Sequence, residues 1–397
     1  MRQSTRIIVY NSDEEYTATL RSDLLSIPGI QIVAEVDEHS LIEQAVRQFP
    51  AEIVLINVDP MPDVILPIAG QVAGAHPDLA VFVVSESTNG RHILMALRSG
   101  IREFLTKPVE RELLAKALEK VMSQATCAVR VGPLISVLGT IGGAGASMLA
   151  INLATELNDI VRKRPVALVD LDFRYGQLGT MLDLHADYTI ADLCDTPEQL
   201  DTSMIEKAMV KHNSGVHLLA RPNQFTQADQ ITAAHCASVL SSLQQMYEFV
   251  VVDGPNRFDT GGMAVLDLAD VNLFVMQLLV TSVRNVHRMI EGLREGGYNL
   301  DRFRLVCNRV GRDSAHLETE HVEATLKRKI DYQIPDDWKA VSSAINMGVP
   351  LIERAPKSRV RAAIRELAQA IISPEPASEK SKTPKRGLFG RILSNAS

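Results

Sequence analysis

Hydrophobic residues fall in short runs separated by stretches where they recur every three or four positions. RIIVY at 6–10, QIVAEV at 31–36, IVLINV at 53–58 and LAVFVVS at 79–85 have the length and β-branched content of strands. The stretches 14–25, 40–48, 93–99 and 110–122 carry the helical period, with a short strand at 103–105. Strands alternating with helices predict right-handed βαβ crossovers and a parallel sheet. A second series begins at 134, with strands at 134–138, 166–170, 216–220, 249–253, 272–277 and 304–308. Its helices are expected at 147–160, 235–246, 283–295 and 358–371. Two α/β domains follow, 1–124 and 133–372, joined by a linker at 125–132. No 20–50-residue repeat is evident.

The 397 residues are enough for these domains, and 46% hydrophobic with 22% charged residues is an ordinary globular balance. A net charge of −7 argues against a dominant nucleic-acid surface. Cys127, Cys194, Cys236 and Cys307 are far apart and form no CxxC pair, which argues against a disulfide framework or a zinc site and fits a reducing cytosol. His316 and His321 lack the i, i+4 spacing of a helical zinc pair and read as surface residues. No signal peptide or membrane-spanning run is present, so a cytoplasmic location is expected. From 373 the composition turns to Pro, Ser and Lys, the mark of a disordered tether. Its tip, RGLFGRILSNAS, places Leu388, Phe389, Ile392 and Leu393 on one face beside Arg386 and Arg391. Such a tip suits peripheral membrane contact, a partner-docking peptide or a frayed terminus.

The candidate chemistry of the second domain lies in IGGAGAS at 141–147, between a strand and a helix. Glycines let backbone approach phosphate, and the helix N-terminus supplies positive potential. The loop resembles the deviant Walker A loop of the MinD/ParA family, KGGxGK[ST]. Gly142, Gly143, Gly145 and Ser147 match, while Ile141 and Ala146 replace both lysines. VALVDLD at 166–172 resembles the family's switch segment and YEFVVVDGP at 247–255 its Walker B strand. LVCNRV at 305–310 resembles its base-reading strand, followed by IPDDW at 334–338. The resemblance implies ATP held by Gly142, Gly143, Ala144, Gly145, Ala146, Ser147 and Met148. Asn308, Arg309, Pro335 and Asp336 would lie at the base. It implies Mg²⁺ at Ser147, Asp170 and Asp253, and Asp172 positioning the attacking water. Loss of two charged phosphate contacts predicts binding with slow or absent hydrolysis. Trp338 could pack near the base, but the core between the domains is the expectation.

The first domain has the strand–helix order of a flavodoxin-like fold and resembles a response-regulator receiver. Ser85 and Lys107–Pro108 match that pattern, and Phe104 lies near its aromatic switch position. Asn11 and Ser12 replace the acidic pair, with Asp13 offset by one, and Asn57 stands at the phosphoacceptor. An amide is no nucleophile, so phosphotransfer is not expected. Lys107 reads as a structural ion-pair residue, and Asp59, two positions past Asn57, is expected to point elsewhere. The surface from 92 to 122 is the expected pairing face.

A receiver-like domain lacking its acceptor, fused to a MinD/ParA-like domain lacking its lysines, resembles the TadZ/CpaE group of Tad (Flp) pilus assembly proteins. The resemblance implies a homodimer at the cell pole, recruiting the pilus secretion ATPase and inner-membrane components. An active ATPase cycling on membrane or nucleoid is the alternative. A phosphorylation-gated signalling protein is a third, against which Asn57 argues.

Overall fold

The computed structural model describes residues 4–124, 131–194, 200–254, 260–296, 298, 300–311 and 317–373. The first domain carries strands β1 (Thr5–Tyr10), β2 (Ile30–Val36), β3 (Ile53–Asn57), β4 (Ala80–Ser85) and β5 (Glu103–Thr106). They form one parallel sheet in the order β2-β1-β3-β4-β5, the flavodoxin-like order. Their near-continuous burial explains the unbroken apolar runs, because helices cover both faces.

One helix of this domain, Pro62–Ala75, is absent from the sequence reading although Ile65, Ala69 and Val72 keep the helical period. Pro60, Pro62, Pro67, Gly70 and Gly74 read locally as loop. Pro62 suits the first turn, and burial of Ile65, Leu66, Ala69 and Val72 overrides the bond lost at Pro67. Gly70 is required by close packing, since a Cβ there would lie 2.7 Å from Ser99 Cβ.

The second domain contributes β6 (Leu134–Gly139), β7 (Val166–Asp170), β8 (Met209–Lys211), β9 (Val216–Leu219), β10 (Phe249–Asp253), β11 (Val271–Met276), β12 (Phe303–Val310) and β13 (Tyr332–Pro335). Their order is β13-β12-β11-β6-β10-β7-β9-β8, parallel except for the β8–β9 pair. The edge strands β8 and β13 have only three and four residues and escape sequence reading. The helix Ala146–Val161 is buried on every side from Met148 to Leu157. The helix Arg359–Ile372 seals it. Arg361 Nε and Arg365 Nη1 each reach a different oxygen of the buried Glu156, both at 2.6 Å. Arg361 in the basic run 357–361 is therefore a structural cation.

Buried polar contacts join the domains. Arg21 Nη2 lies 2.6 Å from Asp267, and Gln31 Nε2 donates to Leu268 O at 2.6 Å. Arg302 donates to the carbonyls of Ile30 and Asp267. Arg6 donates to Pro50 O at 2.8 Å and, across the boundary, to Gln244 Oε1 at 3.1 Å. No described helix is long and apolar enough to cross a membrane. The linker residues 125–130, His316 and the tail from 374, with its amphipathic tip, lie outside the described residues.

Candidate functional site

The glycine loop leaves the end of β6 at the carboxyl edge of the sheet, where open α/β sheets take ligands. Gly143 and Gly145 adopt φ of +75° and +98°, which glycine alone visits without penalty. Gly145 is constrained twice, because a Cβ there would fall 2.3 Å from Asn308 Nδ2. Asn308 braces the loop by donating to Ala144 O at 2.8 Å. Its Oδ1 accepts from the amide of Arg309 at 2.9 Å. Gln277, at the end of β11, donates to Gly143 O at 3.0 Å. No motif marks Gln277, so sequence reading misses it.

The loop floors a cleft of about 680 Å³, within the range of small-ligand sites. Gly142 to Met148 line it, with Asp172 and Asp253 on one side and Asn308, Arg309, Pro335 and Asp336 on the other. Thirteen of the expected positions, Asp172 among them, thus meet from five segments of chain. Asp170 does not. Its carboxylate is buried, accepts from the amides of Asp172 and Leu178 at 3.2 Å each, and lies under Gly176, where a Cβ would be 2.1 Å from Oδ1. The expected magnesium role for Asp170 is corrected accordingly.

Trp338 is also corrected. It is 62% exposed on the cleft rim, not between domains, with the Arg309 guanidinium 5.8 Å from its ring centroid. Tyr175, 77% exposed, lines the rim as well. Of the described charged residues lining the cleft, Asp172, Asp253, Asp336 and Asp337 are acidic and Arg309 alone is basic.

Burial pushes the Asp253 carboxyl up to about 7; a hydrogen bond with Ser147 opposes this and Asp172 adds to it. Asp170 is pushed to about 8, by burial first and by Asp253 second. Asp253 Oδ2 is buried without a hydrogen-bond partner. An orphaned carboxylate oxygen beside the Ser147 hydroxyl fits Mg²⁺, which takes one or two protein oxygens and completes its shell from phosphate and water. Among the described residues no cluster of three or more His, Cys, Asp or Glu forms a metal cage.

Several known proteins resemble this chain. MinD of Bacillus subtilis (strain 168) is 26% identical over 270 residues, covering 66% of this chain and 98% of that protein. MinD of Synechocystis sp. is 27% identical over 218 residues, covering 53% and 78%. No family model matches. The crystal structure of a ParA family ATPase from Chlorobium tepidum TLS superposes with a TM-score of 0.57 at 22% identity, over 61% of this chain and 99% of that one. The second domain is MinD/ParA-like. MinD from Pyrococcus horikoshii, solved with Mg-ADP, shares the fold at a TM-score of 0.53 and 19% identity, over 61% and 96%. The loop, Asp172, Asp253 and Asn308 of this MinD/ParA-like domain sit in one cleft. The two lysine positions hold Ile141 and Ala146, both half-buried against the core beneath the loop.

Proposed function

We propose that this protein is an ATP-binding localisation and scaffold factor of Tad (Flp) pilus assembly, acting as a dimer, with little or no hydrolysis. One observation carries the reading: a P-loop cleft retains Ser147 and Asp253 but, among the described residues lining it, offers only Arg309 as a cation. Backbone amides and Mg²⁺ can hold nucleotide there, whereas charge developing on the transferred phosphoryl group lacks the donors that stabilise it. The relative solved with Mg-ADP supports the choice of ligand. In the first domain, read as a receiver without its acceptor, Asn57 is fully buried and its amide donates to Asn11 Oδ1 at 2.6 Å. That domain serves as a pairing and docking platform at the cell pole, for the secretion ATPase and its inner-membrane partners. Leu94 and Leu113, both more than half exposed on helices beside the β5 edge, support the pairing face. Peripheral membrane contact is assigned to the tail.

The test is Mg·ATP binding and phosphate release by the full chain. Saturable binding without release, abolished in Asp253→Ala, is the expected result. Asp253 must ionise to face a cation, so with its carboxyl near 7 affinity should rise about tenfold from pH 6 to pH 8. Asp253→Asn should flatten that rise. Multiple turnover dependent on Asp172 would favour the cycling ATPase instead, a reading supported by Asp172 lining the same cleft. In cells, deletion should disperse the polar focus of the pilus ATPase; an unchanged focus would sink the scaffold role.

A further inference from the structure

At the carboxyl edge of the first sheet, three donors from two strand ends converge on one carboxylate. Asp59 lies just past β3 and, contrary to the expectation from its spacing, turns back into the site. Ser85 Oγ, ending β4, donates to its Oδ1 at 2.9 Å. The amide of Glu86 donates to its Oδ2 at 2.7 Å. Lys107 Nζ, beyond β5, stands 3.1 Å from Oδ2, close enough for an ion pair but without hydrogen-bond alignment. The Lys107 side chain is only 6% exposed, and its structural ion-pair role is thereby borne out. Asp13 at 3.7 Å and the face of the Tyr16 ring at 4.2 Å complete its surroundings.

A hydroxyl, a backbone amide and a buried ammonium gathered around one carboxylate form an anion site. Its position beyond the strand ends, beside the switch between β1 and β3, is where this topology takes ligands. We propose that it is an oxyanion site, shaped for a group such as inorganic phosphate, which the chain fills permanently with its own Asp59 carboxylate. A tethered, oriented carboxylate has an effective concentration no free anion in a cell matches. The first domain is therefore held in its anion-bound arrangement with no modification and no external ligand. This goes beyond the nucleotide reading and does not depend on it.

The experiment titrates full-chain Asp59→Ala with inorganic phosphate at constant ionic strength, chloride balancing, and follows calorimetric heat and thermal midpoint. Wild type is the control for general stabilisation by phosphate and for any binding at the Gly142–Ser147 loop, which both proteins share. The variant should show one additional saturable phosphate site and a rising midpoint, both lost in Asp59→Ala/Ser85→Ala. A folded variant whose titration matches wild type overturns the proposal. If Asp59→Ala is unfolded in chloride, recovery by phosphate supports it. No recovery, together with no additional site in Asp59→Ser, overturns it.

Discussion

Replacing Ile141 and Ala146 together with lysine is expected to tighten Mg·ATP binding by at least about a hundredfold. Each lysine would add a charge-assisted contact to phosphate, worth roughly 1.5–3 kcal/mol in a partly desolvated site. The present cleft sets four aspartates against Arg309, so a triphosphate enters a field it does not favour. Both positions border the loop and are only half-buried. Long lysine stems can therefore follow the apolar surface while their ammonium groups reach the cleft. Direct titration of wild type and the double variant with Mg·ATP measures the gain. Phosphate release should appear with it, since Asp172 already lines the cleft. Equal affinities would mean that neither position faces a phosphate, and the nucleotide reading would fail.

The second large effect is expected at the domain boundary. Arg6→Ala should cost about 3–5 kcal/mol, the usual penalty for removing one partner of a buried charge network. Arg6 is fully enclosed, and burial lowers its pKa against the opposing pull of Asp270 and then Glu52. Its guanidinium links Pro50 O in the first domain to Gln244 in the second. Gln244 Nε2 in turn donates to Gly132 O at 3.1 Å, at the entrance to β6. Removing Arg6 leaves Asp270, already raised by burial, without its principal charge partner. Urea unfolding is the measurement, and the single transition expected of wild type should split as the domains uncouple. A loss under about 1 kcal/mol would show that water replaces the guanidinium at little cost.

The strands were legible because both sheets are buried on their two faces, which leaves unbroken apolar runs such as IVLIN and FVVVD. The loop was legible because its conformation needs glycine at 143 and 145, whatever the rest of the chain does. Elements stabilised mainly by neighbours were not. The helix Pro62–Ala75 carries loop-like residues and forms because Ile65 and Leu66 reach the core. Strands β8 and β13 are short edges of mixed burial and leave no apolar run.

The longer buried strands, the glycine loop, the replaced lysines and the amide at position 57 are local properties of this chain, and the sequence alone determined them. Which carboxylates face which space is not local. Asp170 and Asp253 end neighbouring parallel strands and stand in direct register, so spacing treats them alike. Both are buried, but only the fold of 172–178 over Asp170 gives one of them backbone partners, while the other keeps an unpartnered oxygen beside Ser147. Asp59 likewise gained its role from Ser85, Glu86 and Lys107, which are 26 to 48 residues away along the chain. Charge interactions fall off with distance in space and with solvent access, and neither quantity is written in residue spacing.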